Sequence, residues 1–419
     1  MSEKLAIDGG TPVRDKRLPM GRGLSLFGDE ERAAAMEVLE SRSLFRYYGP
    51  NLLNKTEAFE GLLREQLAVP YAVGLSSGTA ALRAGLAALG VGCGDEVIVP
   101  CYTFIATVNA VVAAGAVPIF CEIDNSLGAD PGDVEAKITP RTTAIMPVQL
   151  ENQGCDMDTL MAVARKHGVS VIEDACQAIG SSYKGKALGT IGDCGAYSLQ
   201  LEKNVTSGEG GALVTSDEQL HVRASRFSDQ GGQFVTSYGS ERGEELSEPF
   251  CGENLRLTEI AGAIALEQLK KLPSIIERFR ANHRKILDTL GDVPGLELRG
   301  SHDPEGDGGS TITWFLPNPD LARPFIKALF AEGVPCAQVY NGKPVYATPS
   351  ILAKRTATNK GGPWHCAEHP TDVTYEMGMC PRTEELVARS FTIGVGVAYE
   401  AADCEDVATA VGKVASHLL

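Results

Sequence analysis

The chain has no apolar run near the roughly 18 residues that a membrane-spanning helix needs. Its opening, MSEKLAIDGGTPVRDKRLP, lacks the apolar centre of a secretory leader, so a cytoplasmic location is expected. Basic residues are in deficit: 38 Lys and Arg stand against 54 Asp and Glu, a formal net charge of −16. That balance argues against nucleic acid or an anionic membrane surface as a partner. The 11 cysteines are odd in number and scattered through core-like segments, and no pair has zinc-like spacing. A disulfide framework is therefore not expected, nor is a bound metal. Trp364-His365-Cys366 with His369 is the nearest approach to a metal cluster, and it reads better as loop packing. Internal repeats and low-complexity tails are absent too.

What remains is an ordinary globular composition, 43% hydrophobic and 22% charged, in a chain of 419 residues. A chain of this length buries a large core and divides into a large and a small domain. Residues 1–30 read as an irregular arm carrying Gly9-Gly10-Thr11-Pro12 and Gly21-Arg22-Gly23. Helical periodicity begins near Asp29, a fitting N-cap, and a second amphipathic segment follows Asn54. Strands are then expected at Tyr71–Leu75, Glu96–Pro100, Val117–Cys121, Thr143–Val148 and Ser170–Glu173. Helices fall between them, as at Thr79–Leu89 and Phe104–Ala114. Strands alternating with helices predict an α/β fold with a mainly parallel sheet covered on both faces.

After Gly195 the pattern turns strand-rich, at Ala196–Leu199 and Ala212–Thr215. Phe227–Glu253 reads as a long functional loop. Leu257–Leu272 and Arg278–Leu290 are expected helices, and the small residues Ala261-Gly262-Ala263 allow close packing. The large domain is assigned to 31–272 and a smaller α/β domain to 273–419. The latter has strand candidates at Thr311–Leu316, Val334–Val339 and Phe391–Val395, and a closing helix at Asp403–Ser416. A Pro-, Gly-, His- and Thr-rich excursion interrupts it near 341–380.

Four short motifs carry chemistry. Ser76-Ser77-Gly78-Thr79-Ala80 follows a strand and opens a helix, so its free N–H groups suit a phosphate, or Ser77 merely caps the helix. Phe104 stands just past a strand end, where an aromatic either stacks on a flat ligand or joins the core. Asp174 ends an apolar strand, where a carboxylate needs a partner: a pyridinium N–H, a metal or a helix terminus. Gln177 could reach the same ligand. Lys203 precedes the glycine-rich run Thr206–Gly211 and lies five residues after Ser198, whose hydroxyl could hold a phosphate oxygen. Glu202 is expected to point away and Glu209 to fix the turn. A lysine amine with a distant buried carboxylate suits pyridoxal phosphate. The amine forms an imine with the aldehyde, and the carboxylate keeps the ring nitrogen protonated.

Assembled, these residues resemble the DegT/DnrJ/EryC1/StrS family of sugar aminotransferases, fold-type I enzymes that use pyridoxal 5'-phosphate. The resemblance runs from Ala6-Ile7-Asp8-Gly9-Gly10-Thr11-Pro12 to the last helix. It includes Gly94-Asp95-Glu96-Val97, Glu173-Asp174-Ala175 and Asn254-Leu255-Arg256. It implies that Lys203 and Asp174 are catalytic, Lys203 through the imine and Asp174 through the ring nitrogen. It also implies that Phe104 stacks on the ring and that Gln177 lies near its 3-hydroxyl. Gly78, Thr79 and Ser198 would hold the phosphate. Asn254 would reach the cofactor of the other subunit in a homodimer, and Arg256 would be structural.

The implied reaction moves an amino group from glutamate or glutamine to a keto- or aldehydo-sugar, or a related cyclic ketone. The alternatives on the same scaffold are dehydration, decarboxylation, racemisation or non-catalytic cofactor binding. Family members that dehydrate carry histidine at the lysine position, so Lys203 favours aminotransfer. Gln149-Leu150-Glu151-Asn152 departs from the family's His-Leu-Tyr-Gly, and Gln200 stands where His or Asn is frequent. Leu26–Glu31, Leu44–Tyr47 and Asp303–Asp307 look like the branch that makes 8-amino-3,8-dideoxy-octulosonate, which the Gln149–Asn152 run does not match.

Overall fold

The computed structural model describes residues 4–19, 21–232, 247–357, 362–365 and 373–419. Helices α1 (Asp29–Ser41) and α2 (Lys55–Leu67) follow the arm. Asp29 is the first helical residue of α1 rather than its cap, because the Glu31 carboxylate reaches back to accept from the Gly28 N–H at 2.7 Å. The chain then alternates through β1 (Tyr71–Leu75), α3 (Gly78–Ala88), β2 (Glu96–Pro100), α4 (Ile105–Ala114), β3 (Val117–Cys121), α5 (Pro131–Ala136) and β4 (Thr142–Ile145). It continues through α6 (Met157–His167), β5 (Ser170–Asp174), a small hairpin of β6 (Ser182–Tyr183) and β7 (Lys186–Ala187), β8 (Cys194–Ser198), β9 (Gly211–Thr215) and α7 (Glu218–Ser228).

Seven of these strands form one sheet in the order β1-β9-β8-β5-β4-β2-β3. All are parallel except β9, which runs antiparallel to both neighbours. The strands are largely apolar because both faces are covered, and their period of two divides them between two cores. Val97 and Val99 of β2 join one core with α3 and α4, while Ile98 joins the other with α2 and α6.

The second half holds α8 (Glu259–Leu290), β10 (Glu297–Leu298), β11 (Thr311–Phe315), α9 (Ala322–Ala331), α10 (Pro349–Leu352), α11 (Pro381–Ala388), β12 (Ser390–Gly394) and α12 (Ala401–Leu418). Strands β10, β11 and β12 make an antiparallel sheet. The two helices expected on either side of residue 272 are one helix, and Pro273 lies inside it. Val334–Val339 is not a strand. Ala337 makes one isolated bridge to Thr392, and the chain then turns at Val339–Gly342, where Tyr340 and Asn341 take left-handed φ. The expected loop from Phe227 overlaps the last two residues of α7, and much of it lies outside the described residues.

The described parts of the excursion near 341–380 pack on the large sheet's domain. Tyr346, Trp364 and Tyr375 are buried beside Phe120, and the Tyr375 hydroxyl donates to the Pro118 carbonyl at 2.7 Å. This is the loop packing expected of Trp364, while Cys366 and His369 lie outside the described residues. Among the described residues nine cysteines are free and Cys93 is disulfide-bonded, so the expected lack of a disulfide framework does not extend to every cysteine.

Candidate active site

The parallel strands deliver their carboxyl ends to one edge of the sheet, where ligands collect in open α/β folds. From this edge β1 leads into Ser76-Ser77-Gly78, β2 into Tyr102-Thr103-Phe104, β5 ends at Asp174 and β8 at Ser198. A cavity of about 610 Å³ opens there. It is lined by Gly78, Thr79, Phe104, Asp174, Gln177, Ser198 and Lys203, seven of the eight site residues expected from the sequence. Asn254 is the eighth. It is exposed and outside the cavity, held by an isolated bridge to Asp229.

Helix α3 begins at the cavity wall. Ser77 caps it by accepting from the Ala80 N–H at 3.0 Å. Gly78 is required by packing: a Cβ there would sit 2.8 Å from both the Cys176 Sγ and the Ser198 Cβ. Asp174 is 5% exposed. Its Oδ2 accepts from the Thr107 hydroxyl at 2.7 Å, and its Oδ1 accepts from the Cys176 N–H at 3.2 Å. Thr107 also bonds Thr103 at 2.7 Å. Two of the carboxylate's four acceptor directions are thus filled, which fixes it and leaves capacity for a further donor. Phe104, at the cap of α4, is 53% exposed and presents its ring to the cavity, with the Tyr340 ring centroid 6.3 Å away.

Lys203 sits in the turn between β8 and β9, its N–H on the Gln200 carbonyl at 3.0 Å. Burial pushes its amine below the usual 10.5, and the Arg22 charge pushes the same way. The lowered value favours the neutral amine that attacks a carbonyl.

The Gln149–Asn152 run divides by residue. Gln149 is buried and structural: its amide donates to Glu173 at 2.7 Å. Asn152 binds Ser310 and Asn204 at 2.6 and 2.7 Å. Glu151 alone of this run lines the cavity, its backbone left-handed at φ 55° and its Oε2 3.2 Å from the Thr311 hydroxyl and 3.7 Å from Arg299. Glu202 does not point away as expected. Glu202 is exposed, with its N–H on Gln200 Oε1 at 2.8 Å, yet it lines the cavity together with Gln200 and Glu209. Ser207 donates to the Glu209 carbonyl, so that residue also serves the turn. Arg256 pairs with Asp229 and stacks over Phe45, in line with a structural role.

Arg22 and Tyr340 line the cavity without having been singled out. Tyr340 accepts from the Gln177 amide at 3.0 Å. Their sequence signals are slight: an arginine between two glycines in the arm, and the first residues of the excursion. Cys101, Glu122 and Cys380 bring possible metal-ligand atoms within 4.8 Å of one another. The Glu122 oxygens already cap α11, accepting from the N–H groups of Arg382 and Thr383 at 3.1 and 2.8 Å.

Known proteins resemble the chain in sequence and fold. The chain is 31% identical, over 100% of its length and 99% of the relative's, to an L-glutamine:2-deoxy-scyllo-inosose aminotransferase of Streptomyces paromomycinus. It is 38% identical, over 67% of its length and 71% of the relative's, to the spore coat polysaccharide biosynthesis protein SpsC of Bacillus subtilis. A crystal structure of DesV from S. venezuelae superposes with a TM-score of 0.80 at 30% identity, covering 95% of this chain and 98% of that one. The profile of the DegT/DnrJ/EryC1/StrS aminotransferase family matches residues 26–363. The chain belongs to that family, and it is an aminotransferase.

Proposed function

We propose that the cavity binds pyridoxal 5'-phosphate and that the chain transfers an amino group from L-glutamine or L-glutamate to a keto-sugar or cyclic ketone. The observation that carries this is the meeting of Lys203 and Asp174 in one cavity, one from the turn after β8 and the other from the end of the neighbouring strand β5. The donor set fits the cofactor. The N-terminus of α3 with Ser198 offers phosphate donors, Phe104 offers a ring face, and Asp174 keeps acceptor capacity for a pyridinium N–H. When bound, the cofactor supplies an electron sink for charge developing at the donor's α-carbon.

The chain's own groups do the rest. Asp174, fixed by Thr107, holds a proton at the ring nitrogen position. Lys203 holds the cofactor and moves the proton of the donor's α-carbon, a contribution of roughly 10²–10⁴-fold. Gln177, tied to Tyr340, orients the ring's polar edge. Glu151 and Gln200 face the substrate end. The named actions of the relatives, on a cyclitol ketone and in polysaccharide formation, support an acceptor of this class.

A homodimer belongs to the same reading. Asn254 is exposed, and Leu44 and Tyr48 are 49% and 62% exposed beside the Phe45–Arg256 stack, which supports a second subunit there. The division at residue 272 is retained as well, with the separate β10-β11-β12 sheet in its favour and α8 shared between the halves. The test is an absorption spectrum of the cofactor-loaded protein before and after L-glutamine. A yellow band that bleaches, with a 2-oxo acid released, is expected. A protein that cannot be loaded, or a band indifferent to every amino donor, overturns the proposal.

A further inference from the structure

We infer that Arg22 is the carboxylate-binding residue for the amino donor. The inference rests on the aminotransferase reading and adds to it the group that recognises the first substrate.

Arg22 comes from the arm, about 180 residues before Lys203 in sequence, yet the two share one cavity. The backbone on either side of it is pinned. The Gly21 carbonyl accepts from the Val397 N–H at 3.1 Å, and the Gly23 N–H donates to the Lys203 carbonyl at 3.2 Å. The flanking glycines are demanded by this path. Gly21 has φ of 157°, and a Cβ on Gly23 would lie 2.3 Å from the Asn204 carbonyl oxygen. The arm thus stitches the loop after β12 to the Lys203 turn and holds Arg22 between them.

A guanidinium so placed wants an anion. Among the described residues it makes no hydrogen bond and no ion pair, and burial pushes its pKa below the ordinary value. Glu151 and Glu202 face it from the cavity wall at longer range. Arg22 is half-buried on the cavity wall, so its guanidinium is reachable from the cavity and free to take a ligand there. The planar fork of arginine matches a carboxylate in two parallel bonds.

The surroundings select the kind of anion. Two carboxylates, Glu151 and Glu202, share the cavity with Arg22 at longer range, and they disfavour a doubly charged phosphate there more than a single carboxylate. An amino acid zwitterion matches this pattern, with its carboxylate on Arg22 and its ammonium toward Lys203 and the acidic wall. The sugar or cyclic ketone that follows needs no anion there, so one cavity serves both substrates.

The experiment compares cofactor-loaded wild type with R22Q and R22K. The first half-reaction is followed by bleaching of the cofactor band over a range of L-glutamine. Calorimetry measures binding of glutarate, a carboxylate probe without an amine. In R22Q the half-saturating glutamine concentration should rise about 10- to 100-fold, as for loss of a charged hydrogen bond, with a smaller change in the plateau rate. Glutarate binding should weaken in parallel, and R22K should recover part of both. Unchanged half-saturation and glutarate binding in R22Q overturn the inference, as does a defect confined to the acceptor half-reaction. If wild type ignores every amino donor while glutarate binding still depends on Arg22, the carboxylate site stands and the aminotransferase reading fails.

Discussion

At the scale of single residues, the chemistry depends on one amine and what surrounds it. Lys203→Ala should abolish turnover, measured as 2-oxo acid formed per subunit. Half-reaction rates close to wild type without added amine would remove Lys203 from its assigned role. Burial holds the amine below 10.5, so its neutral form is present at lower pH than for a free lysine. The rate at which cofactor-free protein takes up pyridoxal phosphate should therefore rise with pH and level off before 10.5. In R22Q the midpoint should move upward, because a cation that disfavours the ammonium form is gone. An unmoved midpoint would show that burial by itself sets the shift.

At the scale of elements, the long helix α8 ties the molecule together through its first turns. Its buried Glu259 accepts from the N–H groups of Lys55 and Thr56 at 2.8 and 3.0 Å, capping α2 from outside. Three residues on, Gly262 faces the same spot, where a Cβ would lie 2.5 Å from the Thr56 Oγ1 and 2.7 Å from its Cα. The run Ala261-Gly262-Ala263 was read as a close-packing surface, and this contact is what it serves. Gly262→Ala has to push α2 from α8 and should cost about 1–3 kcal/mol, an overpacking penalty that outweighs the helix propensity of alanine. Chemical denaturation would measure it, and a variant as stable as wild type would show that the helices separate freely.

At the scale of the whole molecule, acid stability depends on groups buried neutral. His221 is 5% exposed, stacked on Tyr71 with ring centroids 5.0 Å apart, and burial pushes its pKa down from 6.5 to about 4. Between these values the unfolded chain binds a proton that the folded chain refuses, so stability rises with pH through this window. It is fully present above 6.5 and lost as pH falls toward 4, by roughly 3 kcal/mol at 1.36 kcal/mol per pKa unit. His221→Phe should flatten the fall in melting temperature over that range. A slope equal to that of wild type would assign the acid sensitivity to other groups.

The sequence by itself determined the sheet and half of the chemistry. Strands buried on both faces are largely apolar, so β1, β2 and β3 were legible to the residue, and connectivity alone places Phe104 just past the end of β2 and Asp174 at the end of β5. Local geometry does not reach further. Val334–Val339 has strand composition but gains one bridge, because Tyr340 and Asn341 turn the chain away to place Tyr340 over the cavity. Glu202 lines the cavity although it is exposed, which no spacing rule encodes. Arg22 enters the site through two long-range backbone bonds, to Val397 and Lys203. Periodicity reports which face of an element is buried; which distant segments meet at the sheet's edge is decided when the elements pack, and there the substrate end of this cavity is made.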